Sequence, residues 1–126
     1  MNYQTPLARA RGLGSSRTGS HHWWRQRITA IALIPLSIWL GLAIARLPDI
    51  GYEELVAWIT APWNTVLLLS FISLGFFHAM LGVQTVVEDY VHCDWLKIVT
   101  LVGLKLVLAF LAMAGVLATL RIAFAG

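Results

Sequence analysis

The residues best equipped for chemistry lie in "FFHAMLGVQTVVEDYVHCDW", positions 76–95. An imidazole, His78, sits inside an apolar run, and an acid–phenol pair, Asp89-Tyr90, follows it. A neutral imidazole is a base and a ligand for metals, including the iron of a haem. A phenol donates a hydrogen bond to a quinone carbonyl, and a neighbouring carboxylate can pass the proton that quinone reduction consumes. Each group also has a plain structural use. A histidine among apolar helices can hydrogen-bond across to another helix. A tyrosine at a helix end can anchor the helix at a membrane surface.

Helical geometry brings these groups into relation. At about 100° per residue, His78, Thr85 and Asp89 fall on nearly the same face. Gly75 and Gly82 flank His78 on that side, at the i−3 and i+4 positions. Small residues there leave room for something flat and bulky beside the imidazole. At 1.5 Å per residue the histidine lies roughly 16 Å along the helix from Asp89. It is therefore deep in the apolar run, where an ionisable group is costly and marks a candidate site. No second histidine lies within the apolar runs, so six-coordinate haem iron needs a ligand from another chain.

The elements that must hold these groups are written in the composition. The chain has 126 residues, 59% apolar and 12% charged, with a mean hydropathy of +0.76. Soluble domains carry about 25% charged residues. A chain this small and this apolar cannot bury itself in water, and the composition indicates an all-α membrane protein.

Three runs are long enough to cross a bilayer, which takes about 20 residues. Ile28 to Ala45 is uncharged, and so is Leu55 to Val87, which "APWN" at 61–64 breaks near its start. The third extends from about Leu96 to Ala123, interrupted by Lys97, Lys105 and Arg121. The expected division is a basic N-terminal segment, 1–24, and a three-helix domain, 25–126, with helices over about 28–47, 65–89 and 96–123. Between the first two spans, Pro48, Gly51 and Pro62 punctuate a stretch whose piece 51–60 reads as a short interfacial helix. Pro35 should kink the first span.

Arg9, Arg11, Arg17, Arg25 and Arg27 all precede the first apolar run. Beside a membrane span they are a positive flank, which places the N-terminus inside and, after three crossings, the C-terminus outside. No nucleic-acid partner is expected. Trp23, Trp24 and Trp95 fall where an inner aromatic belt belongs, with Trp58 and Trp63 at the opposite surface. The lone Cys93 excludes an intrachain disulfide and any Cys₄ cluster, and His92-Cys93-Asp94 is too tightly spaced for a standard zinc site. Glu88 reads as a solvated helix-end charge and Lys105 as a snorkelling or pairing cation.

The spacing in this second span resembles a known family. His78, Ala79, Gly82, Asp89, Tyr90 and Val91 form "H-A-x-x-G-x-x-x-x-x-x-D-Y-V". This resembles the signature of the D-type hydrophobic anchor subunits of succinate dehydrogenase, respiratory complex II. The start of the first span agrees: Gly19, then His21 or His22, then Arg27, Thr29, Ala30 and Ile31. The resemblance runs from about Gly19 to the end, and the third span contributes only hydrophobicity to it.

The resemblance implies a role for each matching residue. His78 would be an axial ligand to the iron of haem b, with the opposite ligand on a C-type cytochrome b anchor subunit. Tyr90 would hydrogen-bond ubiquinone, with Asp89 supporting it and the proton path. His21 and Arg27 would lie near the haem propionates, with Arg25 or His22 assisting. "HHWWRQR" is more basic and more aromatic than the family pattern, which leaves the choice among these four open. The remaining partners would be an iron–sulfur subunit and a flavoprotein subunit. FAD and iron–sulfur clusters would reside only there, since this chain has one cysteine and no dinucleotide fold. The implied function is to pass electrons from succinate to ubiquinone in a bacterial inner membrane, a mitochondrial one being less favoured because no transit peptide is evident. The chain alone would not catalyse. Competing readings are a non-redox scaffold subunit with a structural His78, and the anchor of a fumarate reductase.

Overall fold

The computed structural model describes residues 5–12, 17–46 and 49–125. Five helices follow one another: α1 (Pro6–Ala10), α2 (Arg17–Ile44), α3 (Tyr52–Thr60), α4 (Pro62–Tyr90) and α5 (Asp94–Ala125). Among the described residues there is no strand. α2, α4 and α5 are long and apolar enough to span a bilayer, which makes the chain a multi-pass membrane protein. Pro48 and Gly126 lie outside the described residues.

The spanning helices outrun the apolar segments that signal them. α2 begins at Arg17, well before Ile28, and takes in the histidines, tryptophans and arginines of the basic head. Hydropathy marks the part of a helix that hydrocarbon can cover, whereas hydrogen bonding carries the helix on through polar residues. α2 also runs unbroken through Pro35. Proline has no N–H to offer the carbonyl of Ile31 one turn earlier, so that carbonyl loses its usual partner.

The short interfacial helix is present as α3. Its first turn is closed by the Glu54 carboxylate, which accepts from the Gly51 N–H at 3.2 Å. Its end shows how the chain turns into α4. Ala61 is extended (φ −60°, ψ 125°), and Pro62 opens α4 at a position where a missing N–H costs little. Two side chains from the first turn of α4 take over the carbonyls stranded at the end of α3. Asn64 Nδ2 donates to Trp58 O at 2.8 Å, and Thr65 Oγ1 donates to Ile59 O at 2.6 Å. On the other side of α3, Trp58 stacks on Trp39 of α2, with centroids 5.4 Å apart and planes 19° from parallel.

α4 is the central helix and packs against both α2 and α5. Small residues allow close approach. A Cβ built on Gly115 of α5 would stand 3.3 Å from Ile72 of α4, and the adjacent Thr119 is buried with its hydroxyl donated to Gly115 O at 2.9 Å. Among the described residues only Leu81, Val87, Thr29 and Thr119 are buried. Isoleucines 28, 31, 34 and 38 of α2 and Leu106, Phe110, Met113 and Leu117 of α5 stand exposed. In water that would be untenable; against lipid and neighbouring membrane helices it is the expected outer face.

Candidate functional site

His78 is half-buried on α4, facing the N-terminal half of α2. The helices meet there through polar atoms. His78 Nδ1 lies 2.9 Å from Thr29 Oγ1, and Thr29 is buried. The interhelical hydrogen bond foreseen as the plain use of this histidine therefore exists. It occupies one ring nitrogen of two.

Next to this contact is a groove of about 650 Å³, lined by His22, Trp23, Gln26, Arg27 and Ala30 of α2 and by His78, Gly82, Thr85 and Val86 of α4. Gly82 matters to its shape, because a Cβ there would touch Gln26 Nε2 at 3.5 Å. Two buried atoms at the groove, His22 Nε2 and Gln26 Oε1, have no hydrogen-bond partner among the described residues. Buried polar atoms without partners are rare and costly. The Arg27 guanidinium lies 5.3 Å from the centre of the Trp23 ring, a cation–π contact that holds it at the groove wall. Trp23 in turn packs edge-on against Trp24, with centroids 5.2 Å apart.

The sequence candidates divide around this groove. His22 and Arg27 line it together with His78 and Gly82; His21 and Arg25 are exposed and do not. The Arg25 backbone carbonyl instead accepts from Thr29 Oγ1 at 2.8 Å. Gly75 is outside the groove, and a Cβ there would meet nothing within 4 Å. Thr85 joins His78 in the lining, with its hydroxyl donated to Leu81 O at 3.2 Å. Gln26 is a groove residue that sequence reasoning missed. Its position one turn after His22 on the same helix was the available signal.

Asp89 and Tyr90 end α4 and are exposed, Tyr90 at 79%. Glu88 accepts from Gln84 Nε2 at 2.7 Å along the helix surface. After Tyr90 the chain leaves the helix for residues 91–93, and His92 Nδ1 lies 3.1 Å from Tyr90 O. Cys93 is a free, exposed thiol, and Lys105 is exposed on α5. Asp94 begins α5, where a carboxylate favours the positive end of the helix dipole.

Taken together, these features define a multi-pass membrane subunit with a polar groove cut between two of its spanning helices. Comparison with known proteins narrows the class. Residues 1–119 match the family model described as "Succinate dehydrogenase/Fumarate reductase transmembrane subunit". A succinate dehydrogenase hydrophobic membrane anchor subunit of Rickettsia bellii is 34% identical over 105 residues, covering 83% of this chain and 84% of the relative. The subunit of the same name from Paracoccus denitrificans is 31% identical over 90 residues, 71% of this chain and 70% of the relative. A succinate dehydrogenase membrane anchor subunit of Reclinomonas americana is 28% identical over 97 residues, 73% and 79% of the two chains. No solved structure matches significantly. The chain belongs to the family of succinate dehydrogenase/fumarate reductase transmembrane subunits, as one of its hydrophobic membrane anchors.

Proposed function

We propose that this chain anchors a succinate:ubiquinone oxidoreductase in a bacterial inner membrane, holds haem b through a histidine, and forms part of the quinone-reduction site. The observation that carries the reading is the groove at His78. It joins an imidazole, a guanidinium, two buried polar atoms without a partner among the described residues, and a glycine facing Gln26. A flat cofactor with an iron centre and anionic arms matches that donor set. His78 would provide the nitrogen for iron, and Arg27 and His22 would provide charge and hydrogen bonds for propionates. A second ligand would come from the C-type cytochrome b anchor subunit. Bound haem b supplies a one-electron redox centre within the membrane.

The exposed end of α4 is the quinone station. Tyr90 donates its phenolic proton in a hydrogen bond to a quinone carbonyl and so orients the ring. Asp89, beside it at the membrane surface, holds and passes protons from the aqueous side. The iron–sulfur and flavoprotein subunits carry the clusters and FAD and oxidise succinate, so this chain performs no catalysis alone. The basic N-terminal region faces the cytoplasm, with the quinone station on the same side. The relatives reported above are all named for succinate dehydrogenase, which favours that direction over fumarate reduction.

The test is a visible spectrum of the purified complex, with and without His78→Ala. The expected result is a Soret band in the parent complex that is lost or altered in the variant. A complex without a Soret band, or a band the substitution leaves unchanged, overturns the haem assignment and favours a purely structural histidine.

A further inference from the structure

A threonine hydroxyl has one proton and two lone pairs. At Thr29 two carbonyls of its own helix stand ready to take that proton: Oγ1 lies 2.8 Å from Arg25 O and 3.1 Å from Gln26 O. The same oxygen lies 2.9 Å from His78 Nδ1. With its proton pointed at the carbonyls, Oγ1 has only lone pairs to offer the ring. In that arrangement the proton of this third contact belongs to the imidazole, as its Nδ1–H tautomer. Its Nε2 then bears the free lone pair, on a ring that lines the groove.

We infer that Thr29 is a positioning residue for an iron ligand: it fixes the tautomer and the rotation of His78 and makes Nε2 the ligating nitrogen. The inference rests on the haem reading above and adds a residue on the neighbouring helix to it. The physical logic is general. A ligating histidine needs an acceptor for its other ring N–H, and that acceptor raises the basicity of the ligating nitrogen. Usually the acceptor is a carboxylate or a carbonyl. An anion would be expensive at this depth, and the two carbonyls beside Thr29, Arg25 O and Gln26 O, already accept from its hydroxyl. A buried hydroxyl, itself polarised by donating to two carbonyls, provides an acceptor with no net charge. Thr29 also lies on α2, the helix that carries His22, Gln26 and Arg27. The hydrogen bond thus ties the ligand on α4 to the remainder of the groove.

The experiment uses the whole membrane complex with Thr29→Val, Thr29→Ala and Thr29→Ser. Valine keeps the volume and alanine does not, but both remove the acceptor; serine keeps it. Val and Ala should raise the haem midpoint potential in the same direction, since a less basic ligand stabilises ferric iron less. They should also weaken haem retention by about tenfold or more and shift the ferric EPR g-values. Serine should restore potential, retention and g-values together. Unchanged potential and g-values in both Val and Ala overturn the inference while leaving His78 a ligand. Shifts that serine fails to restore also overturn it, because they reflect packing and not the hydroxyl. The haem reading is checked separately by His78→Ala, whose unchanged Soret band would remove the ground beneath both.

Discussion

Ile72 of α4 and Gly115 of α5 meet so closely that a methyl group on the glycine would sit 3.3 Å from the isoleucine side chain. Alanine at 115 is tolerable only if Ile72 gives way by a few tenths of an ångström. A branched residue is not. Gly115→Val should cost about 1–3 kcal/mol as overpacking and lower the thermal unfolding temperature of the detergent-solubilised complex. Gly75, with open space around it, provides the control. If Gly115→Val and Gly75→Val shift the transition equally, the close approach has no special weight.

Tyr90→Phe separates quinone chemistry from anchoring. Phenylalanine keeps the ring at the surface and removes only the hydroxyl. Quinone reductase activity should fall by about tenfold or more, the scale of one hydrogen bond in a reacting complex, while succinate oxidation with a soluble dye persists. Full quinone activity in the variant would make Tyr90 an interface anchor only.

Two pairs of neighbours should behave unequally. Arg27→Gln and His22→Ala remove groups that line the groove, so each should loosen haem or move its potential. Arg25→Gln and His21→Ala remove groups that stand outside it and should leave the redox titration of the complex as it was. Equal effects within either pair would contradict the assignment of His22 and Arg27 to the propionates.

The α3–α4 junction yields a test of local structure. Asn64→Ala and Thr65→Val each leave a carbonyl at the end of α3 without its donor, at a cost of about 1 kcal/mol apiece. The double variant should open the junction to limited proteolysis between Thr60 and Pro62. Intact resistance to the protease would show that α3 is held by the Trp39–Trp58 stack instead.

The sequence was most informative where physics is one-dimensional. Three apolar runs reveal three spans, because a bilayer demands length and hydrophobicity and little else. Gly51 and Pro62 bracket α3 for equally local reasons. The start of α2 at Arg17 was not legible, since a polar helical extension carries no hydropathy signal. His21 and His22 could not be separated by composition. About 100° of helical rotation distinguishes them, and only the position of α4 decides which one is enclosed. Gln26 gave no signal because an uncharged polar residue near a membrane surface looks ordinary until its amide oxygen is found buried without a partner among the described residues. The contact between Thr29 and His78 joins residues on two helices, so no local pattern announces it.

The scarcity of interior residues has a consequence for the cell. With four buried side chains among the described residues, the chain has almost no core of its own. Much of its stability must therefore be collected at surfaces that lipid and partner subunits cover, and every partner surface that docks adds to it. An orphan copy would stay open to membrane proteases, and excess synthesis would be self-limiting. Subunit stoichiometry could then be set by degradation of the uncovered chain, with no need for matched rates of synthesis.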